Sequence, residues 1–264
     1  MRLLVSVRSA REAMLALRGG ADIVDAKEPS RGSLGAVSSR ALAEIFRCIP
    51  AEREVSVALG DAATREDLLR RVSSIPFSDR PATYLKLGFA GVTDLDLIRR
   101  LLAAAVAATA EQESVRIVAV AYAEGIHAGG ASPWLVCRAA ADAGVAGILL
   151  DTCLKHSGNL LTWIPPESLR ALVASARAAG LFTAIAGGLR AEHLPAVSGA
   201  QPAIVGFRGA VCCGGRAGDL SIERVRQLRS YFQALNSGFV QGVDDRPWPG
   251  GGTPDVSANL CPPC

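Results

Sequence analysis

Eight short apolar runs alternate with amphipathic stretches along this chain, and this alternation restricts the fold more than any other feature of the sequence. Alternating strand and helix patterns are typical of a parallel sheet covered by helices. Eight such units within about 250 residues match the size and pattern of a TIM barrel. We therefore predict an α/β fold, a TIM (β/α)8 barrel, over residues 1–237. The runs interpreted as strands are Leu3–Val7, Asp22–Lys27, Glu54–Ala58, Thr83–Leu87, Arg116–Ala121, Gly147–Asp151, Leu181–Ala186 and Ala203–Gly206.

A doubly wound parallel sheet is the alternative fold, because it is built from the same alternating units. That fold usually carries a glycine-rich dinucleotide turn after its first strand, whereas this chain has Arg8-Ser9-Ala10 there. After the barrel, residues 238–264 are rich in Gly, Pro and Asp, and we predict a flexible, disordered tail. Its terminal Cys-Pro-Pro-Cys resembles a redox motif but does not lie between a strand and a helix.

Composition argues against several classes of protein. The formal net charge is +3, and no cluster of Lys and Arg is interleaved with aromatic residues, so nucleic acid is not an expected partner. No apolar run is long enough to cross a bilayer or to form a signal peptide. Seven cysteines, an odd number without a secretion signal, argue against a disulfide framework, and no second Cys/His pair beside the terminal Cys-Pro-Pro-Cys has zinc-ligand spacing. We expect a cytoplasmic protein with no metal and no membrane association.

Lysine is rare in this sequence, and its positions are informative. The chain has 28 Lys and Arg residues, and its lysines are Lys27, Lys86 and Lys155 alone. Either residue type can supply a surface charge, so a lysine kept in such an arginine-rich chain indicates a need for an amine. Arginine stays protonated, whereas a buried lysine amine can lose its proton and attack a carbonyl carbon. All three lysines also end or follow apolar, strand-like runs.

These lysines are predicted to converge with two carboxylates at one end of the barrel. Side chains at positions i and i+2 share a face of a strand, so Asp25 and Lys27 both point into the barrel. Lys86 ends the fourth strand, Asp151 ends the sixth, and Lys155 follows in the next loop. Active sites of TIM barrels lie where the strands end and the βα loops begin. The alternative is that these charges form structural ion pairs that close the barrel.

This set of groups suits imine chemistry on a phosphorylated carbonyl compound. A desolvated lysine near other cations can attack an aldehyde or ketone, and the iminium then acts as an electron sink for C–C bond formation and elimination. Asp25 is placed to move protons to and from Lys27. Loops after the seventh and eighth strands often bind phosphate in TIM barrels. We predict such a phosphate site in the residues Gly187, Gly188, Gly206, Arg208 and Gly209.

Other residues near the predicted mouth of the barrel are less informative. His127 lies after the fifth strand and His156 after the sixth, whereas His193 begins a helix and is predicted to lie on the surface. Glu28 and the Gly/Ser-rich loop after it either close over a substrate or form an ordinary βα loop. Thr93 is predicted to cap the helix that follows the fourth strand.

Five segments of the chain together resemble one family, the (5-formylfuran-3-yl)methyl phosphate synthases, also called 4-(hydroxymethyl)-2-furancarboxaldehyde-phosphate synthases. These segments are LLVSV, GGADIVDAKEPSRGSLGA, YLKLG, GILLDTCLK and GFRGAVC. The resemblance implies a TIM-barrel lyase of methanofuran biosynthesis that is similar to class I aldolases and needs no cofactor. It implies that two molecules of glyceraldehyde 3-phosphate are joined through a lysine Schiff base, with loss of phosphate and water. Lys27 would be that lysine, with acid–base and substrate-orienting partners in Asp25, Lys86, Asp151 and Lys155.

Two other functions stay open. Another phosphosugar lyase, such as an ordinary aldolase, would use similar groups on the same barrel. A relative of orotidine decarboxylase would carry Asp-x-Lys-x-x-Asp, but Ser30 occupies the last of these positions. A non-catalytic sensor would bind a phosphorylated ligand without a covalent adduct. In each case the expected partner is a small phosphorylated molecule, and helices rich in Ala and Leu would permit a homo-oligomer.

Overall fold

The computed structural model describes residues 1–77, 84–154 and 157–237. Residues 238–264, for which we predict a disordered tail, lie outside the described residues, as do Lys155 and His156. The boundary between barrel and tail therefore stays a prediction. Within the described ranges, no helix is long and apolar enough to cross a membrane.

Eight parallel strands form a closed barrel in which each strand pairs with its neighbours in sequence and the last pairs with the first. The predicted TIM barrel is therefore confirmed. Most strands are apolar along nearly their whole length, because helices cover one face and the opposite side chains fill the barrel interior. The strands are β1 Arg2–Val7, β2 Ile23–Ala26, β3 Glu54–Asp61, β4 Tyr84–Gly88, β5 Arg116–Tyr122, β6 Gly147–Asp151, β7 Phe182–Ile185 and β8 Ile204–Phe207.

Helices cover the outside of the barrel, and local sequence sets their ends. The first one begins after Ser9, whose side chain accepts a hydrogen bond from the N–H of Glu12, and it is followed by Gly20 with a φ of 97°. The α-helices in the described part of the chain are α1 Ala10–Arg18, α2 Ser39–Cys48, α3 Arg65–Ser73, α4 Leu95–Ala108, α5 Pro133–Asp142, α6 Leu160–Trp163, α7 Pro166–Ala178, α8 Leu194–Ser198 and α9 Ile222–Asn236.

The helix after β4 begins one residue later than predicted. Asp94, not Thr93, is its N-cap, so the prediction for Thr93 is wrong. The Asp94 carboxylate accepts hydrogen bonds from the backbone N–H groups of both Asp96 and Leu97. A carboxylate can accept two such bonds and also favours the positive end of the helix dipole, so it outcompetes the neighbouring hydroxyl.

Two apolar cores hold the barrel together. In β1, Leu3 and Val5 face the helices, whereas Leu4 faces the barrel interior. Burying a side chain of this size contributes about 1.5–3 kcal/mol, so the two layers dominate the favourable side of folding. The inner core comprises Leu4, Ile23, Leu34, Ala58, Tyr84, Val118, Val120, Tyr122, Leu149, Ala184 and Ile204.

Polar side chains replace apolar ones toward the carboxyl ends of the strands. Ser6 of β1 pairs in register with Asp25 of β2, and Asp25 pairs with Ser56 of β3. All three side chains contribute to the lining of one cavity. The same two-residue alternation that packs the inner core therefore brings polar groups together at one end of the barrel.

The first and last βα units are joined by polar contacts as well as by the β1–β8 ladder. Asp22 accepts a hydrogen bond from Arg229 of α9 at 2.7 Å. The N-terminal ammonium group donates to Asn236 at 3.2 Å. At the carboxyl end of β8, Arg208 forms an ion pair with Glu12 of α1. The first two contacts attach α9 to the first βα unit, and the third fixes the start of the loop after β8 against α1.

Candidate active site

A cavity of about 630 Å³ opens at the carboxyl ends of the strands. Apolar residues of the barrel interior form its floor, and the loops after β2, β6, β7 and β8 contribute to its walls. This volume is ordinary for a small-molecule site, and TIM-barrel active sites lie at this end of the barrel. The predicted catalytic residues that line it are Asp25, Lys27, Lys86 and Asp151.

Lys27 and Asp151 form a nearly buried ion pair across the barrel. The Lys27 Nζ donates to Asp151 Oδ2 at 3.2 Å, and Lys27 is 8% exposed. The other carboxylate oxygen, Oδ1, accepts the backbone N–H of Thr152 at 2.8 Å, which fixes the carboxylate. A small part of Lys27 therefore remains accessible from the cavity, while its amine donates a hydrogen bond to a carboxylate that the Thr152 N–H holds in place.

Lys86 and Asp25 form a second pair that is more deeply buried. The Lys86 Nζ lies 2.5 Å from Asp25 Oδ1, and the hydroxyl of Ser6 donates to Asp25 Oδ2 at 2.8 Å. Burial lowers the pKa of the Lys86 amine; the adjacent Asp25 raises it in part, and the positive charge of Lys27 lowers it again. The net effect favours a neutral amine at lower pH than for an exposed lysine.

The two pairs together balance charge within a site that excludes most water. Two amines and two carboxylates can exchange protons with a bound molecule without changing the total charge of the site. Ser56, between Asp25 and Tyr84 in register, is fully buried, and its hydroxyl has no hydrogen-bond partner among the described residues. Because buried hydroxyls usually have a partner, this one is available to a polar group of a ligand.

The predicted phosphate loops also border the cavity. Gly187 and Gly188 have φ values of 98° and 64°, which favour glycine. A Cβ atom on Gly187 would approach the Thr152 side chain to 2.9 Å, so the loop after β7 packs closely on the loop after β6. Gly206 and Gly209 line the same cavity on the β8 side. The structure therefore brings both glycine loops to one cavity, as predicted from their positions in the sequence.

Arg208, predicted to bind phosphate, is committed to protein acceptors. Its Nη1 and Nη2 contact both carboxylate oxygens of Glu12, at 2.5 and 3.1 Å. The remaining bonds go to three carbonyl oxygens, those of Ser6, Arg216 and Gly218. Burial lowers the pKa of the guanidinium, but the hydrogen bonds to Glu12 and the nearby acidic groups together raise it overall. A guanidinium has five N–H groups, and all five are accounted for here.

Sequence reasoning missed a second arginine on the same loop. Arg216 lines the cavity and donates through Nη2 to the carbonyl oxygens of Pro29 and Gly32, at 2.9 and 3.0 Å. It therefore joins the loop after β8 to the loop after β2. The only sequence feature near it is the glycine pair in CCGGRAG, which does not indicate where the arginine points.

His193 was predicted to lie on the surface, but it is half-buried and lines the cavity. Its Nδ1 accepts the N–H of Arg190 at 2.9 Å, and its Nε2 faces the side-chain amide of Asn159 at 3.2 Å. Burial lowers the pKa of His193, which favours the neutral ring. The spacing of residues 159 and 193 in the sequence gives no indication of this contact.

Neither His127 nor Glu28 lines this cavity, although Pro29 of the loop after β2 does. His127 is exposed, and its ring packs at a tilt against Trp163 with a centroid separation of 5.7 Å. Glu28 accepts hydrogen bonds from Ser30, and Ser33 anchors the same loop by donating to the Thr152 carbonyl at 2.9 Å. In the described part of the chain, no three His, Cys, Asp or Glu side chains cluster in a way that could hold a metal ion.

Comparison with known proteins assigns the chain to a family. Residues 3–229 match the family described as 4-HFC-P synthase. The chain belongs to the 4-HFC-P synthase family. This confirms the family identified from the strand-end motifs and makes the protein an enzyme. The match spans the whole barrel, including every described residue of the cavity.

Curated relatives of this 4-HFC-P synthase family member come from methanogens. The chain is 33% identical to the (5-formylfuran-3-yl)methyl phosphate synthase of Methanothermobacter thermautotrophicus, a match covering 89% of this chain and 100% of that protein. It is 34% identical to the enzyme of the same name from Methanocaldococcus jannaschii, covering 87% and 98%. A third, from Methanopyrus kandleri, is also 34% identical, covering 89% and 98%.

Solved structures with the same fold are more distant. Phosphoribosyl anthranilate isomerase from Thermus thermophilus superimposes on this 4-HFC-P synthase family member with a TM-score of 0.59 at 17% identity, covering 89% of this chain and 100% of the isomerase. A 3-hexulose-6-phosphate synthase gives a TM-score of 0.55 at 19% identity, covering 86% and 99%. At these identities the likeness shows the shared barrel and nothing about the reaction.

Proposed function

We propose that this protein makes (5-formylfuran-3-yl)methyl phosphate from two molecules of glyceraldehyde 3-phosphate through a Schiff base on Lys27. One phosphate and two water molecules leave, which balances the atoms of the two trioses against the furan product. The observation that carries the proposal is the pair of buried lysine–carboxylate contacts in one cavity, Lys27–Asp151 and Lys86–Asp25. The names of the family's curated members support the same product.

Lys27 is the better placed of the two amines for attack on an aldehyde. It is 8% exposed against 4% for Lys86, and its contact with a carboxylate is 3.2 Å against 2.5 Å. The lowered pKa of Lys86 argues the other way, because a neutral amine is the better nucleophile. We give more weight to access, because the carbonyl carbon must reach the amine, and we assign Lys86 to proton transfer.

The remaining groups then have definite tasks. Asp151 accepts a proton as the Lys27 amine adds to the aldehyde, and it returns that proton when water leaves. Asp25 and Lys86 move protons at the carbon next to the iminium, because removal of a proton there forms the enamine that joins the second aldehyde or expels phosphate from the following carbon. Lys155, outside the described residues, stays a predicted partner of the substrate.

The charge of the cavity supports phosphorylated substrates. Six cationic side chains and three carboxylates belong to the part of its lining that the structure describes, an excess that suits anionic ligands. We assign one phosphate to the glycine loops, Gly187-Gly188 and Gly206 to Gly209, where backbone N–H groups can approach an oxyanion. Arg208 would hold the second loop in place rather than contact the phosphate itself. A phosphorylated triose as substrate also supports the predicted cytoplasmic location.

The test is reductive trapping followed by product analysis. The protein is incubated with glyceraldehyde 3-phosphate, reduced with borohydride, and digested for mass spectrometry. An adduct on Lys27 and a furan product in the unreduced sample are expected, and Lys27→Arg, which keeps the charge but not the nucleophile, should give neither.

The other outcomes identify the alternatives. A Lys27 adduct with a six-carbon sugar phosphate as product would indicate an ordinary aldolase. An adduct on Lys86 instead would reverse the assignment of the two amines. Ligand binding without any lysine adduct would indicate a sensor and contradict the proposal.

A further inference from the structure

Arg216 joins two of the loops that border the cavity, the loop after β8 and the loop after β2. It lies on the loop after β8, whose backbone is held by Arg208 and Arg8 through the carbonyl oxygens of residues 216, 217 and 218. From there its side chain crosses the mouth of the cavity to the loop after β2. The loop that carries Arg216 is thus fixed by side chains other than its own.

Only part of the Arg216 guanidinium is used by the protein. Nη2 donates to the carbonyl oxygens of Pro29 and Gly32. No acceptor among the described residues takes a hydrogen bond from Nε or Nη1, which leaves three N–H groups. Arg208 on the same loop has none to spare, so the two arginines have different roles although both line the cavity.

The surroundings of Arg216 keep it charged and within electrostatic reach of Asp151. Burial lowers the pKa of its guanidinium, and Asp151 is close enough to raise it again in part. Arginine remains protonated despite such shifts. A cation half-buried in a cavity is only partly hydrated, so an anion that displaces the remaining water gains a strong charge-assisted contact.

We propose that Arg216 binds the phosphate of a phosphorylated aldehyde through Nε and Nη1 and thereby selects phosphorylated over unphosphorylated substrates. This inference rests on the proposed function for the identity of the aldehyde. The same guanidinium holds Pro29 and Gly32, which follow Lys27 by two and five residues. Phosphate binding and the placement of the loop beside the candidate nucleophile are therefore coupled through one side chain.

The test compares four proteins: wild type, Arg216→Gln, Arg216→Lys and the control Arg8→Gln. Arg8 binds the same loop through the Ala217 carbonyl and Asp219 but does not line the cavity. Arg8→Gln therefore shows how much of any effect comes from a less ordered loop and not from a lost phosphate contact. One measurement is calorimetric binding of inorganic phosphate. The other is the borohydride trapping rate with glyceraldehyde 3-phosphate divided by the rate with unphosphorylated glyceraldehyde.

We expect Arg216→Gln to weaken phosphate binding and to lower the trapping ratio by about 10- to 100-fold, the range for losing charge-assisted hydrogen bonds. Arg216→Lys keeps the charge without the planar fork and should fall between. Arg8→Gln should stay within about twofold of wild type in both measurements, because Arg8 does not line the cavity and cannot contact a bound phosphate.

Three results would overturn the inference. The first is a wild type that does not bind inorganic phosphate, the second is an Arg216→Gln protein with the phosphate affinity of the wild type, and the third is an equal loss in Arg216→Gln and Arg8→Gln. Failure of the proposed function looks different, because the wild type would then bind phosphate but trap neither aldehyde on a lysine. Equal losses in Arg216→Gln and Arg8→Gln would show that loop order alone is responsible, and would also contradict a direct contact.

Discussion

The Glu12–Arg208 pair allows the sharpest test of how the barrel supports its site. Glu12 is 5% exposed and accepts hydrogen bonds from Arg208 at 2.5 and 3.1 Å and from the backbone N–H of Arg8 at 2.9 Å. Glu12→Gln would keep the shape of the side chain but leave the buried guanidinium with neutral acceptors only. Removing one partner of a buried pair costs about 3–5 kcal/mol. Because Gln retains an oxygen acceptor, we expect about 3 kcal/mol.

This loss is measurable by urea unfolding. With a denaturant dependence of about 3 kcal/mol per molar for a chain of this size, the midpoint should fall by about 1 M. Far-UV circular dichroism and tryptophan fluorescence should be recorded together, because coincident curves justify a two-state free energy. The matched control is Glu44→Gln, which breaks an exposed Arg40–Glu44 pair on α2 and should cost less than about 0.5 kcal/mol.

The result that would refute this reasoning is a Glu12→Gln midpoint indistinguishable from that of Glu44→Gln. Arg208 would then not depend on Glu12, and its side chain would be available for the phosphate contact predicted from sequence. A large loss of stability together with weakened phosphate binding is the expected outcome. Glu12 does not line the cavity, so any effect on binding acts through the loop that Arg208 holds.

Three further outcomes are expected. Gly187→Ala should lose more stability than Gly180→Ala, and only Gly187→Ala should weaken substrate binding. Both glycines have positive φ, but only at Gly187 would the new methyl group meet Thr152. Urea unfolding and a binding assay on both variants check this. Because burial lowers the pKa of Lys86, kcat/KM should increase with pH over a range that lies below the ordinary lysine pKa of about 10.4. Lys86→Arg should flatten that pH profile. A flat profile in the wild type would contradict the role of Lys86 in proton transfer. Burial raises the pKa of the Cys212 thiol to about 11, so iodoacetamide at pH 8 should label this residue in urea but not in the native protein, as judged by peptide mass spectrometry.

Local pattern was sufficient to predict the barrel and to place the candidate catalytic side chains that line the cavity. The ends of the helix Ala10–Arg18 follow from local sequence, because Ser9 caps its start and a glycine pair follows its last residue. Gly147–Asp151 was also predicted correctly, since a short apolar run before a carboxylate is typical of a buried strand ending at a site. The two-residue period then put Asp25 and Lys27 on the inner face, where the structure has them.

Contacts between distant segments could not be predicted in this way. Glu12 lies in a helix whose sequence looks like an ordinary solvent-facing stretch, and its partner Arg208 is 196 residues later. Without that contact, an arginine in a glycine-rich loop after β8 is naturally interpreted as a phosphate ligand. The approach of Arg216 to Pro29 likewise depends on the path of a loop, which no periodicity specifies.

Closure of the barrel through the β1–β8 pair determines when during synthesis the cavity can form. Asp25, Lys27 and Lys86 are made within the first third of the chain, but the contacts that complete the ring join residues about 200 positions apart. Until β8 emerges, β1 has an unpaired edge, and such edges favour misassembly of nascent chains. Long-range strand pairing is also slow, so we expect the final docking of β8 to limit the rate of folding. The reactive lysines would therefore be enclosed only at the last step, and no fragment ending before β8 should show partial activity.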